Sequence, residues 1–433
     1  MGYAEILMAG IMLLTVVIMP VMVPAAWRLM AAVWLAVFQV YTFPVHGFYP
    51  SLAFLCSVGL WPELLKRGKE LLRWRITQYY FLLLAVQVIS LAWSPDIGKG
   101  VRLIALMVPF VFILAATMDV VGQRRNMIVP LLYGVMVGAL LEAALVICLH
   151  LMPNWEKWFI SSSIAHIFIN PNAFSTGDIQ VPKNWSGFLI NPNTAAGYLG
   201  ITSLLAQAIV FRYRQWWMVL VGFFLALGVI FTGSKAGIIL VGILYGTGMV
   251  ILAWPQLQGR SRGAVVLLLI LIGIFIFQNS EVIAHSIGSS WTDRVMLWNF
   301  GMICFPEHSL RGLGFGGWEI AIQEYTKQIG YPRISPPAHN VIITLWSQSG
   351  LFAAIFGILF IVNVLAFLWR SRKTEHWREF VICATLAMVW YFVHQQGANW
   401  GLVNERHIMP IAAMIIGIVY AVSRPLPQER NES

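Results

Sequence analysis

The sequence predicts an all-α, polytopic integral membrane helix bundle, on three observations. Hydrophobic residues make up 59% of the 433-residue chain and charged residues only 11%, against about 25% charged in soluble domains. Apolar runs of roughly 17–25 residues recur from end to end, long enough to cross a hydrocarbon core of about 30 Å as helices. The basic residues cluster between those runs, the habit of cytoplasmic loops. About twelve crossings are expected, in one transmembrane domain spanning 1–433 with no evident internal repeat. The net charge of +10 then follows from cytoplasmic basic clusters, and a nucleic-acid partner is not expected.

The first 65 residues carry apolar runs around 5–22, 29–43 and 48–65, interrupted by Pro20, Pro24, Pro44 and Pro50. They fit two or three crossings, and the first lacks the basic start and small-residue cleavage site of a signal peptide. Lys66, Arg67, Lys69, Arg73 and Arg75 mark the cytoplasm. A span near 78–93 leads outward to Ser94-Pro95-Asp96, and the next returns to Arg124 and Arg125. The helix near 127–152 leads to an external segment, 153–190, rich in Pro, Asn, Ser and Trp.

A further span starts at Asn191-Pro192-Asn193-Thr194 and ends at the cytoplasmic Arg212 and Arg214. The run 216–231 emerges at the turn Thr232-Gly233-Ser234-Lys235-Ala236-Gly237, and spans ending before Arg260 and rising from 263 place 280–340 outside. A span over 341–369 descends to Arg370, Arg372, Lys373 and Arg378, and two more, near 380–397 and 407–423, close the chain. Cys56, Cys148, Cys304 and Cys383 are scattered without a zinc or redox motif and are expected as small core residues. The 19 Trp and 13 Tyr, many near run ends, fit interfacial belts.

This alternation leaves Lys99, Arg102, Lys157, Lys183, Lys235, Arg294, Arg311, Lys327, Arg333 and Arg406 on or near the outer face. One such cation is an ordinary interfacial residue; the set opposes the usual bias and suggests an anionic partner. Phosphate is the natural choice, since guanidinium offers a planar fork of donors to its oxygens. Lys235 lies in a glycine-flanked turn where backbone can approach a ligand closely. His339 precedes an apolar helix in the same external segment as Arg294, Arg311 and Arg333. Neutral imidazole there can accept a proton from a hydroxyl, with Asp293 and Glu307 as rival bases. Gly312-Leu313-Gly314-Phe315-Gly316-Gly317 is literally G-x-G-x-x-G. It lacks the strand–turn–helix setting of a dinucleotide site and is expected instead as a tight turn carrying Arg311. His394, Glu405, Arg406 and His407, near the last outer turn, either join the site or pair with one another.

These pieces together resemble the bacterial O-antigen ligase and O-antigen polymerase superfamily. The resemblance rests on LAWSPD at 91–96, Asn-Pro-Asn-Thr-Ala-Ala at 191–196 and TGSKAG at 232–237. It continues in Arg294 and Trp298 of WTDRVMLW, the Gly-rich turn after Pro306, and His339-Asn340 before a hydrophobic helix. It implies a glycosyltransferase of the bacterial inner membrane with a periplasmic active site and no cofactor or metal. Such proteins move a glycan from undecaprenyl pyrophosphate to lipid A-core oligosaccharide (ligase) or to another lipid-linked repeat (polymerase). Many relatives carry Arg where this chain has Lys235, which keeps the charge and loses the fork. The roles expected are His339 as general base and Arg294 as catalytic cation, with Lys235, Arg311, Arg102 and Arg333 on the pyrophosphate. The competing class is a transporter of an anionic or lipid-linked substrate, which also favours outer cations and broken helices.

Overall fold

A computed structural model of the chain describes residues 3–42, 44, 48–169, 186–189, 191–254, 292, 294–303, 308–330, 338–397, 402 and 405–424. Among them the protein is helical throughout, with one isolated bridge between Tyr41 and Ser51. Among the described residues six helices are long and apolar enough to cross a membrane: Arg75–Trp93, Ile97–Gln123, Arg125–Leu151, Pro192–Tyr213, Lys235–Ala253 and Leu351–Ser371. Ile6–Met22, Met218–Phe231 and Met409–Val422 are shorter apolar helices. The second half of the expected external segment 153–190 lies largely outside the described residues, and its first half forms two short helices, Pro153–Ser161 and Ser163–Phe168.

The bundle is built round α1 (Pro192–Tyr213), whose start is set by proline in the first turn and by the Asn191 side chain, which accepts from Asn193 N at 2.8 Å. Of its apolar window 94% is buried, against 28% for Lys235–Ala253 and 33% for Leu351–Ser371, so α1 is the hub and those two helices face outward. Small residues permit this. A Cβ on Gly200 would stand 2.1 Å from the Trp390 ring, and one on Gly228 would stand 2.9 Å from Ala143 Cβ. Helix α2 (Arg378–His394), which carries Trp390, packs along one side of α1. Behind them α3 (Met409–Val422) lies against α4 (Ile97–Gln123).

Helix α4 also separates two polar ends. Asp96 caps its start, accepting from Lys99 N at 2.8 Å. Near its end Asp119 pairs with Arg67 at 3.0 Å, and Arg67 also binds Glu70 at 3.0 Å. Glu70 in turn takes Arg424 and Tyr420. The rise from Ile97 to Asp119 is about 33 Å, at ~1.5 Å per residue. The same end holds a bidentate pair in which Arg28 Nη1 and Nη2 donate to Glu63 at 2.9 Å each, both side chains buried.

Two departures from the sequence expectation have physical causes. The 29–43 run is helical only over Ala25–Trp34, after which Gln39 and Val40 take positive φ and the chain turns back into Leu52–Val58. Helices of 10 and 7 residues rise about 15 and 10 Å and do not cross a ~30 Å core. The run 341–369 is two helices, α5 (Val341–Ser349) and Leu351–Ser371, broken at Gly350 with φ +84. A Cβ at Gly350 would stand 2.0 Å from Leu310 O, so the break is where another segment docks.

Candidate functional site

That segment is the glycine-rich turn. Leu313 N and Gly314 N donate to Ser347 O and Gln348 O at 2.8 and 2.9 Å, and Gly316 N donates to the Gln348 side chain at 2.8 Å. Its other side meets the Ser94-Pro95-Asp96 turn. Ser94 Oγ donates to Phe315 O at 2.7 Å, and Trp93 Nε1 donates to Arg311 O at 3.2 Å. Gly314 and Gly316 have φ of +94 and +97, and a Cβ on either would meet backbone of residues 93–100 within 3 Å. The glycines therefore make a wedge between two other elements, in addition to the tight turn expected. Lys99 closes the contact by pairing with Glu319, which removes it from the cations open to a ligand.

Directly after the wedge, Trp318–Gln328 packs on the helical residues 294–303 and on α5. The shared core is Leu297, Phe300, Trp318, Ile322 and Ala338. Trp298 Nε1 donates to Ala338 O at 3.0 Å, fixing the backbone one residue before His339. His339 is half-buried with φ +50, a left-handed conformation uncommon for a side-chain-bearing residue. Asn340 makes that turn rigid: its side chain accepts from Ile342 N and Ile343 N at 3.0 Å each, and Thr344 Oγ1 returns to Asn340 O at 2.7 Å.

Arg294 lies one helical turn before Trp298, on the same face. Its Nη1 stands 3.4 Å from the position of a Cβ on Gly397, just past α2. The guanidinium is half-buried, burial lowers its pKa from the ordinary arginine value, and no carboxylate pairs with it among the described residues. A partly desolvated cation in that condition is suited to an incoming anion.

The start of α1 gathers the remaining motifs. Ser234 Oγ donates to Asn193 Oδ1 at 2.8 Å, tying the Lys235 turn to the Asn-Pro-Asn-Thr run, and Ser234 also caps the helix that Lys235 begins, accepting from Gly237 N at 3.3 Å. Thr194 Oγ1 donates to Glu405 Oε2 at 3.3 Å. One turn along, Gly197 makes room for the His394 ring, whose Nδ1 would be 3.6 Å from a Cβ there. Glu405 is 6% exposed, and burial raises its carboxyl to about 7 against the opposing hydrogen bonds from His407 N, Ile408 N and Thr194. Arg406 and His407 point elsewhere: Arg406 donates to Tyr41 at 3.0 Å, and His407 Nδ1 lies 2.9 Å from Ala36 O.

Of the expected site residues, His339 and Arg294 are linked through Trp298, and Lys235 sits on the α1 start that also meets Glu405 and His394. Arg102 is half-buried near Gly98 and Asp96, and Arg311 is exposed with its backbone at Gly350. Gly350 and His339 are at opposite ends of the nine-residue α5, about 14 Å apart at ~1.5 Å per residue. Arg333, Asp293, Glu307, Lys183 and Cys304 lie outside the described residues. Cys56 and Cys383 are buried as expected of core residues, while Cys148 is exposed on its helix. Sequence reading left His394 and Glu405 undecided, because only their contacts with Gly197 and Thr194, some two hundred residues earlier, separate them from Arg406 and His407. Among the described residues no group of three His, Cys, Asp or Glu is placed to hold a metal ion. No protein-family model matches the chain, and no curated protein matches it in sequence.

Proposed function

We propose that this chain is a multi-pass glycosyltransferase of the bacterial inner membrane, a member of the O-antigen ligase and polymerase superfamily. It moves a glycan from undecaprenyl pyrophosphate to the lipid A-core oligosaccharide on the periplasmic side. The observation that carries the reading is convergence. Ser234 ties 232–237 to 191–196, Trp298 ties 294–298 to the backbone beside His339, and the end of α2 lies between the two pairs, with His394 beside Gly197 and Gly397 beside a half-buried Arg294 that no described carboxylate neutralises. The distance of about 33 Å along α4 between this end and the basic cluster at Arg67 agrees with placing the two on opposite membrane faces. The full count of about twelve spans and the periplasmic position of 280–340 belong to the same proposal.

In the reaction, the acceptor hydroxyl attacks the anomeric carbon as the bond from that carbon to the pyrophosphate oxygen breaks. His339 takes the hydroxyl proton, and Arg294 and Lys235 stabilise the charge that grows on the departing pyrophosphate. Direct displacement inverts the anomeric configuration. The test is a purified-protein assay with lipid-linked glycan and separate acceptors. Transfer to lipid A-core supports the ligase reading, lengthening of the lipid-linked chain points to polymerase, and movement without bond formation refutes both. His339→Ala, confirmed folded, is expected to lose at least 100-fold in rate; near-full transfer by that variant removes the base assignment.

A further inference from the structure

The buried end of α2 carries polar groups that the bundle leaves unused. His394 is 2% exposed and Trp390 0%. Neither ring nitrogen of His394, nor Nε1 of Trp390, has a hydrogen-bond partner among the described residues. Gln395 Oε1, on the next residue, is in the same condition. Buried polar atoms are nearly always paired, so a cluster of unpaired ones asks for a missing partner. Trp390 and His394 are one turn apart and face α1, where Gly200 and Gly197 leave them space. Arg294 Nη1 stands 3.4 Å from where a Cβ on Gly397, three residues past His394, would lie, and Arg294 is close enough to act on His394 electrostatically. Glu405, the carboxyl that meets the start of α1, is already held by Thr194 and by His407 N.

We infer that His394 is a ligand contact of the same site, donating a ring N–H to a phosphate oxyanion held by Arg294. The inference rests on the proposal that the site takes a lipid pyrophosphate, and adds a residue and an atom to it. The chemistry follows from the pair. A guanidinium with no described carboxylate calls for an anion, and a neutral imidazole beside it supplies a donor to that anion without a second fixed positive charge. Its other nitrogen accepts from a hydroxyl or water, so the filled site gives both orphaned atoms a partner.

The experiment uses the full chain in detergent micelles and measures affinity for farnesyl pyrophosphate and for inorganic pyrophosphate by ligand-induced thermal shift. Binding of the farnesyl compound alone identifies a lipid headgroup; binding of both means the free anion suffices. In either case His394→Phe is expected to weaken binding at least tenfold, while His394→Gln, which keeps an N–H donor, stays within about threefold. A merely structural histidine would lower the melting temperature of the empty protein without changing affinity. If His394→Phe does not fold, comparison of His394→Gln with His394→Ala decides in the same way. Variants binding within twofold of wild type while Arg294→Gln loses binding overturn the His394 assignment and leave the functional proposal standing. A wild-type protein that binds neither probe overturns both.

Discussion

Gly314→Ala is expected to unseat the wedge that joins the Ser94 turn to α5. Gly314 has φ +94, and a Cβ there would lie 2.4 Å from Ser94 Cα, 2.7 Å from Ser94 N and 2.8 Å from Trp93 O. All three are backbone atoms and cannot rotate away. The backbone conformation alone costs about 1–2 kcal/mol for an L-residue. Carbon atoms settle at about 3.5–4.0 Å, so the two segments must part by roughly 1 Å. That loosens the bonds Gly314 N to Gln348 O and Ser94 Oγ to Phe315 O, each worth about 1 kcal/mol net. The total is about 3–4 kcal/mol. Gly330→Ala is the control, since φ there is +65 and nothing lies within 4 Å, leaving about 1 kcal/mol. A difference of about 2–3 kcal/mol is roughly 30- to 150-fold in a local opening equilibrium, at about 1.4 kcal/mol per tenfold. Amide hydrogen exchange at Gly312, Leu313 and Gly314 in detergent reads that equilibrium directly. Equal exchange in the two variants would show that the wedge is not held as described.

Two further outcomes follow from buried carboxyls. Glu405 has a folded-state pKa raised to about 7 by burial, so the folded protein binds more protons than the unfolded chain between the ordinary glutamate range and pH 7. Stability should therefore fall as pH rises from about 4.5 to 7, by at most about 3 kcal/mol. Glu405→Gln should flatten that slope in a pH series of thermal melts; an unchanged slope assigns it to other groups. At Gly187, φ is +56 and a Cβ would stand 2.6 Å from Glu142 Oε2, whose carboxylate accepts from Phe188 N at 3.0 Å. Gly187→Ala should cost about 2–4 kcal/mol. In combination with Glu142→Ala it should cost about 1–2 kcal/mol less than the sum, because the clash is with that side chain. Strict additivity in a double-mutant cycle would contradict the contact.

What was legible in the sequence is what depends on near neighbours or on lipid. Apolar runs declare helices long enough to span lipid, and Asn340 declares the start of α5 because a side-chain cap acts within three residues. The break at Gly350 was not legible, since a glycine inside an apolar run is silent until Leu310 is seen against it. Nor was the neutralisation of Lys99, whose partner Glu319 is 220 positions later on a helix beyond the wedge. Counting outer cations put Arg102, Arg311, Lys235 and Arg294 together on charge alone. Folding sorts them by the element each rides on, and the nine residues of α5 separate the Arg311 backbone from His339.

Helix α1 reverses the usual rule for what a membrane segment tolerates. A span facing lipid accepts leucine almost anywhere, because added methylenes enter hydrocarbon. In α1, with 94% of its apolar window enclosed by protein, the greasiest replacement is the disruptive one: leucine at Gly197 or Gly200 would drive α2 outward and carry His394 and the Arg294 contact with it. Thr202 and Ser203 bond to their own helix backbone at 2.9 and 2.7 Å, so here a hydroxyl is the easier guest. Variation at Gly197 and Gly200 should therefore run toward small residues, contrary to the hydropathy that first marks this helix as a membrane span.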